Sequence, residues 1–189
     1  MSDDDPATGL GDRMRADVDA ELARLSDRFG DFPVHEETVG NEPDYFESGV
    51  ELARDGWRGD AGAFVVDGDG RALFIRHEGA PDTWGLPGGG HEPGENHVET
   101  ALREVDEETG IDAEAVDVFQ TVRRTIVHAE DPTRTLAMLT VHVDARPTRG
   151  TDIAVGDDEV VEARWFHPAD PPTPVYEPFA DRVARWADG

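Results

Sequence analysis

Residues 88 to 111 constrain this chain more than any other stretch. A glycine turn, Gly88-Gly89-Gly90, runs into an acidic segment carrying Glu104, Glu107 and Glu108. At about 100° per residue, spacings of three and four put these carboxylates on one face of a helix. Like charges packed that closely repel and weaken an isolated helix. The cluster makes physical sense where a hard cation such as Mg²⁺ or Mn²⁺ sits among the oxygens. Val98, Leu102 and Val105 form an apolar stripe on another side of the helix from the acidic face, which is core packing.

The rest of the composition narrows the setting. The chain has 189 residues, 37% of them hydrophobic, enough for one domain with some terminal decoration. Cysteine is absent, which excludes a disulfide framework, a thiolate metal site and a cysteine nucleophile. No apolar run reaches the length of a membrane span, and the acidic start Met1-Ser2-Asp3-Asp4-Asp5 lacks a signal-peptide core, so a cytoplasmic protein without a membrane partner is expected. The net charge is -26 and all 17 basic residues are arginine. Such a surface repels nucleic acid and anionic lipid. It is tolerable at molar salt, where the Debye length is about 3 Å, and the composition resembles that of cytoplasmic proteins of salt-loving archaea.

Along the chain, residues 1–10 are expected to be disordered. Met14, Val18, Leu22 and Leu25 predict an amphipathic helix over 12–28, ended by Gly30. Residues 31–43 read as a loop and 46–54 as a short helix. Residues 1–57 are thus an acidic N-terminal extension, with packing or homodimer formation as its expected use. Residues 58–189 form the main domain. There, 61–66 and 72–77 flank Asp67-Gly68-Asp69-Gly70, a hairpin signal. A helix over 96–109 ends at Gly110. Strands follow at 116–127, 136–143 and 160–166, then a proline-rich loop over 168–174 and a closing helix over 179–186. Strands interleaved with a mid-chain and a terminal helix predict an α/β sandwich around a mixed sheet.

The segment from Gly89 reads position by position as a known motif. Five residues separate Gly89 from Glu95; seven more lead to Arg103-Glu104, then Val105, Glu107-Glu108, Gly110 and Ile111. This resembles the Nudix box, G-x5-E-x7-R-E-U-x-E-E-x-G-U with U aliphatic, and every specified position is met. The lead-in Trp84-Gly85-Leu86-Pro87-Gly88-Gly89 is also similar to that family's. The resemblance is strong over about 23 residues and looser over 58–187.

The resemblance implies a Nudix-type α/β/α sandwich and a Mg²⁺- or Mn²⁺-dependent hydrolase that cleaves a diphosphate linkage in a small nucleotide-type substrate, not a nucleic acid. It implies Glu104, Glu107 and Glu108 as metal ligands, joined by the backbone carbonyl of Gly89. Arg103 would hold the box carboxylates by charge-assisted hydrogen bonds, and Glu95 would support the loop–helix geometry. The general base would be a box glutamate such as Glu107, or Glu159 or Glu162 from the late acidic loop. Arg76, His77, Arg123 and Arg124 are candidates for phosphate contacts; Trp84, Phe119 and Tyr176 for stacking on a base. His128 and His142 read as ordinary strand residues. Two other readings share the scaffold: a nucleotide-sensing module without catalysis, and isoprenoid diphosphate isomerisation, against which the lack of cysteine weighs. The lead-in differs from the Pro-Lys-Gly-His of dinucleoside polyphosphate hydrolases. The proline about fifteen residues past the box of ADP-ribose enzymes is also missing, Pro132 lying further on.

Overall fold

The computed structural model describes residues 6–189, with side chains from Gly9 onward. The elements in chain order are α1 (Pro6–Phe29), β1 (Val34–Asn41), α2 (Pro43–Arg54), β2 (Gly59–Val65), β3 (Ala72–His77), β4 (Gly88–Gly90), α3 (His97–Thr109), β5 (Ala113–His128), β6 (Thr135–Pro147), β7 (Val160–Phe166) and α4 (Ala180–Asp188), the last preceded by a 3-10 turn at Glu177–Phe179. Five strands hydrogen-bond in the order β1-β5-β6-β2-β4, and β3 pairs with β7 in a second sheet. This is the mixed α/β fold expected from the order of elements.

The chain divides into two compact units. The first comprises Met1–Ala61, Gly90–Thr100 and Val118–Val141. Its α1 starts at Pro6, where a missing N–H costs nothing in the first turn. The expected disorder over residues 1–10 is therefore corrected for 6–10; residues 1–5 lie outside the described residues. Leu10, Met14, Val18 and Leu25 are the buried stripe of α1, and Phe46 and Val50 that of α2. They form this unit's core with Leu136 and Leu139 of β6. The expected loop over 31–43 is also corrected. Val34–Asn41 is a strand, parallel to β5 from Val34↔Thr121 to Asn41↔His128. Its side chains are almost all exposed, so backbone hydrogen bonding rather than hydrophobic alternation holds it in place.

The second unit comprises Gly62–Gly89, Ala101–Asp117 and His142–Gly189. Its β3 and β7 run antiparallel from Ala72↔Phe166 to His77↔Val160, with an irregularity between Arg76 and His77. The Asp67–Gly70 turn forms as expected, the Asp67 carboxylate accepting from the backbone N–H groups of Asp69 and Arg71 at 2.9 Å each. The strands it joins do not make a hairpin. They share one bridge, Val66↔Ala72, before β2 enters the large sheet and β3 pairs with β7. The core is aromatic. Phe74 meets Phe64 at 5.9 Å and Phe166 at 5.7 Å, and Trp84 meets Phe166 at 4.7 Å, all edge to face. Such pairs contribute about 0.5–1.5 kcal/mol each beyond area burial. The Trp186 indole donates to the Gly70 carbonyl at 3.0 Å and pins α4.

Candidate active site

The glycine turn and α3 meet closely. A Cβ on Gly89 would fall 2.6 Å from Oε1 of Glu104, so only glycine lets this carboxylate lie against the turn. The neighbouring Gly88 N–H donates to Oε2 of Glu108 at 2.8 Å, and the Nε2 of His77 lies 2.8 Å from Glu108 Oε1. Glu108 is 1% exposed. Arg103 Nη1 donates to Glu104 Oε1 and to Glu107 Oε2, each at 2.8 Å. The three carboxylates are graded in access along one face: side-chain exposure is 2% for Glu108, 12% for Glu104 and 54% for Glu107. At the helix's end Gly110 takes φ +68°, the left-handed conformation of a C′ residue.

Burial sets the electrostatics. It raises the Glu104 carboxyl above its ordinary range; Arg103 opposes this, while Glu107 and Asp157 add to it. Burial also lifts Glu108 well above the usual carboxylate range, opposed by His77 and the Gly88 N–H and reinforced by Glu104. Two acids are thus held where their charge is under-compensated.

Asp157 is a residue that sequence reasoning passed over. Its loop lies along the end of α3: the Ala154 N–H donates to the Thr109 carbonyl at 2.9 Å, and a Cβ on Gly156 would come within 3.2 Å of the Glu107 carbonyl. Nothing in the local sequence separates Asp157 from Asp158 or Glu159, because the distinction comes from how the loop docks. Glu159 itself is exposed. Glu162 sits opposite Arg76 across β3 and β7, with Arg76 Nη1 3.4 Å from its Oε2. Arg76 also lies over the Trp84 ring at 4.1 Å. Trp84 is 3% exposed, with Arg76 and Phe166 against it. Tyr176 is exposed, and His142 packs edge-on against Phe179 at 4.9 Å.

The remaining candidates belong to the first unit. Glu95 Oε2 accepts from the Thr100 hydroxyl at 2.9 Å, and the Glu95 carbonyl lies 2.8 Å from His91 Nε2. Arg123 pairs with Asp19 at 2.7 Å and Arg124 with Glu37 at 3.0 Å. His128 is buried with Phe46 edge-on at 5.1 Å, and Phe119 is half-buried on β5.

Among the described residues no group of three or more His, Cys, Asp or Glu side chains is arranged to hold a metal ion. The donor chemistry at the turn nevertheless fits a hard divalent cation. Glu104, Glu107 and the Gly89 carbonyl offer only oxygen, and the carboxyls of Glu104 and Glu108 are pushed up chiefly by burial, Glu104 also by Glu107 and Asp157 and Glu108 also by Glu104. No helix among the described residues is long and apolar enough to cross a membrane.

The NUDIX domain family model matches residues 56–187, and the chain belongs to that family. Curated relatives include the RNA pyrophosphohydrolases of Teredinibacter turnerae, 39% identical over 65 residues (34% of this chain), and of Halorhodospira halophila, 40% identical over 70 residues (37% of this chain). This chain spans 38% of the length of each. Among solved structures, the MutT NUDIX hydrolase from Burkholderia pseudomallei is 28% identical, with a TM-score of 0.52 over 67% of this chain and 95% of that one.

Proposed function

We propose that this chain is a divalent-metal-dependent hydrolase that cleaves the diphosphate linkage of a nucleoside diphosphate derivative, with residues 58–189 carrying the chemistry. The observation behind this reading is the seating of the box acids beneath the glycine turn: Glu104 against Gly89 and Glu108 bonded to Gly88. In the reaction, water adds to one phosphorus, the bridging P–O bond breaks, and the leaving phosphate takes the electron pair while the water's proton passes to a base. Mg²⁺ or Mn²⁺, when bound, neutralises phosphate charge and acidifies water. Glu104, Glu107, Glu108 and the Gly89 carbonyl are the residues that would hold it.

The chain's own groups do the rest. Arg103 is a positioning residue; one nitrogen fixes two carboxylates and so sets their spacing. His77 and the Gly88 N–H fix the Glu108 carboxylate from two sides. Glu107 is the most open of the three acids and is suited to receive the proton through its carboxylate oxygen. Asp157 adds negative charge near Glu104 and strengthens the site's demand for a cation. A protein of net charge -26 favours a small, metal-screened diphosphate over a long anionic polymer.

A second reading has its own support. Arg103 bridges Glu104 and Glu107 and offsets part of their charge internally, as a nucleotide-sensing module without turnover would allow. A phosphate-release panel at high KCl separates the two readings. It compares nucleoside triphosphates, ADP-ribose, dinucleoside polyphosphates, sugar nucleotides and 5′-triphosphorylated RNA, with Mg²⁺, Mn²⁺ or excess chelator. The RNA is included because of the relatives' names. The expected result is metal-dependent cleavage of at least one small diphosphate, with Glu108→Gln lowering kcat at least about 100-fold. Binding without turnover across the panel supports the sensor. Turnover that survives chelation overturns the metal-dependent reading.

A further inference from the structure

Within the first unit, α2 and the sheet line an open cavity of about 580 Å³. That volume suits a nucleoside-sized ligand, since small-molecule sites run to about 300–1,000 Å³. More than half of its lining lies before residue 56, where the family match begins. The cavity is therefore a feature of this chain's own N-terminal segment.

Its walls have two characters. Tyr45 and Leu52 of α2 and Trp57 form an apolar side, facing Ile126 and Met138 of the sheet. Tyr45 is 71% exposed and Leu52 52% exposed. A chain so rich in acid leaves these large apolar groups uncovered at the cavity while burying Phe46 and Val50 of the same helix completely. The polar lining includes Asp60 and Arg124, together with Glu37, Asn41 and Ser48. Asp60 is half-buried on β2 and accepts a hydrogen bond from the Trp57 indole; Arg124 acts on it electrostatically and is itself steadied by Glu37 at 3.0 Å and the Met138 sulfur at 3.7 Å. An acceptor and a donor thus line one cavity with aromatic walls, the complement of a heterocycle edge that carries both N–H and carbonyl or ring nitrogen.

Trp57 also borders Gly90 of the same unit. The Trp57 indole nitrogen lies 4.0 Å from where a Cβ on Gly90 would sit, and Gly90 follows Gly89 in the chain. A side chain at Gly90 would abut the indole.

We infer that this cavity is a nucleobase site, in which Tyr45 and Trp57 offer their ring faces to the base while Asp60 accepts from its N–H edge and Arg124 donates to its acceptor. Burial pushes the Asp60 carboxyl up, with Arg124 and Trp57 opposing this only in part, so an incoming N–H would find an under-solvated acceptor. The assignment rests on the diphosphate reading for its natural ligand, a nucleoside diphosphate derivative. It gives the N-terminal segment a role in choosing the substrate.

The test uses the full chain at high KCl with chelator present, so that neither metal nor hydrolysis enters. Adenosine, guanosine, cytidine and uridine are titrated by calorimetry and by tryptophan fluorescence, with ribose 5-phosphate as the base-free control. At least one nucleoside is expected to saturate a single site that ribose 5-phosphate does not occupy. Tyr45→Ala should weaken that binding about tenfold, in line with the loss of one stacking surface, without changing the melting temperature, because Tyr45 is exposed. Arg124→Gln should change the order of preference among the four. Absence of binding by all four nucleosides overturns the inference, as does binding that Tyr45→Ala leaves intact. Nucleoside binding with a silent hydrolysis panel would sink the hydrolase reading and leave the base site standing. Hydrolysis with no nucleoside binding would do the reverse.

Discussion

The Nε2 of His77 and the Oε1 of Glu108 stand 2.8 Å apart, joining the end of β3 to the last turn of α3. Glu108 is fully buried and its other oxygen is taken by the Gly88 N–H, so His77 supplies the rest of its solvation. His77→Ala should leave a buried carboxyl short of a partner and cost about 1–3 kcal/mol. Chemical denaturation at pH 7.5 measures this; an unchanged unfolding free energy would show that water replaces the ring without loss.

Gly89→Ala separates activity from stability. The atoms nearest the added methyl are the carboxyl tip of Glu104, which can swing aside. The melting temperature should move by no more than a few degrees, whereas kcat should fall at least about tenfold because a metal-binding carboxylate is displaced. A variant with full activity would show that the Gly89–Glu104 contact has no part in the chemistry.

Acid should expose His142. Burial holds its pKa down at about 4, against an ordinary value of 6.5. The unfolded chain therefore takes up this proton first as pH falls. The stability contribution is complete above pH 6.5 and is lost between pH 6.5 and 4, by at most about 3 kcal/mol. Relative to wild type, His142→Gln should flatten unfolding free energy against pH across that window. Parallel curves would place the pH dependence elsewhere.

Salt should stabilise the protein well beyond the usual small effect. With net charge -26, lowering KCl from molar to 50 mM lengthens the Debye length from about 3 Å to more than 10 Å and brings surface carboxylates into mutual repulsion. The melting temperature should drop steadily along that series. A flat profile would show that the ion pairs, such as Arg58–Asp17 and Arg134–Glu47, already balance the surface.

What could be read beforehand was whatever local chemistry dictates. The ends of α3, the β7 strand and the cap at Gly110 follow from side-chain period and from glycine's access to positive φ. The strand β1 was invisible because Val34-His35-Glu36-Glu37 carries no hydrophobic alternation; a parallel neighbour holds it by its backbone. The hairpin expected around Asp67–Gly70 failed for a similar reason. The turn is local, but which sheet each strand joins depends on β7, nearly ninety residues away. At the site, the box named its carboxylates. The roles of His77 and Asp157 depend on packing that no short window encodes.

The β1–β5 ladder has a practical corollary. Its eight register pairs close the side of β5 from Thr121 to His128. Trimming the gene to the part that matches the family would strip that cover and leave a row of unsatisfied amides and carbonyls, the template on which strands of separate molecules zip together. A shortened version is therefore expected to clump rather than to behave as a minimal enzyme, which makes the leading fifty-odd residues part of the protein's solubility.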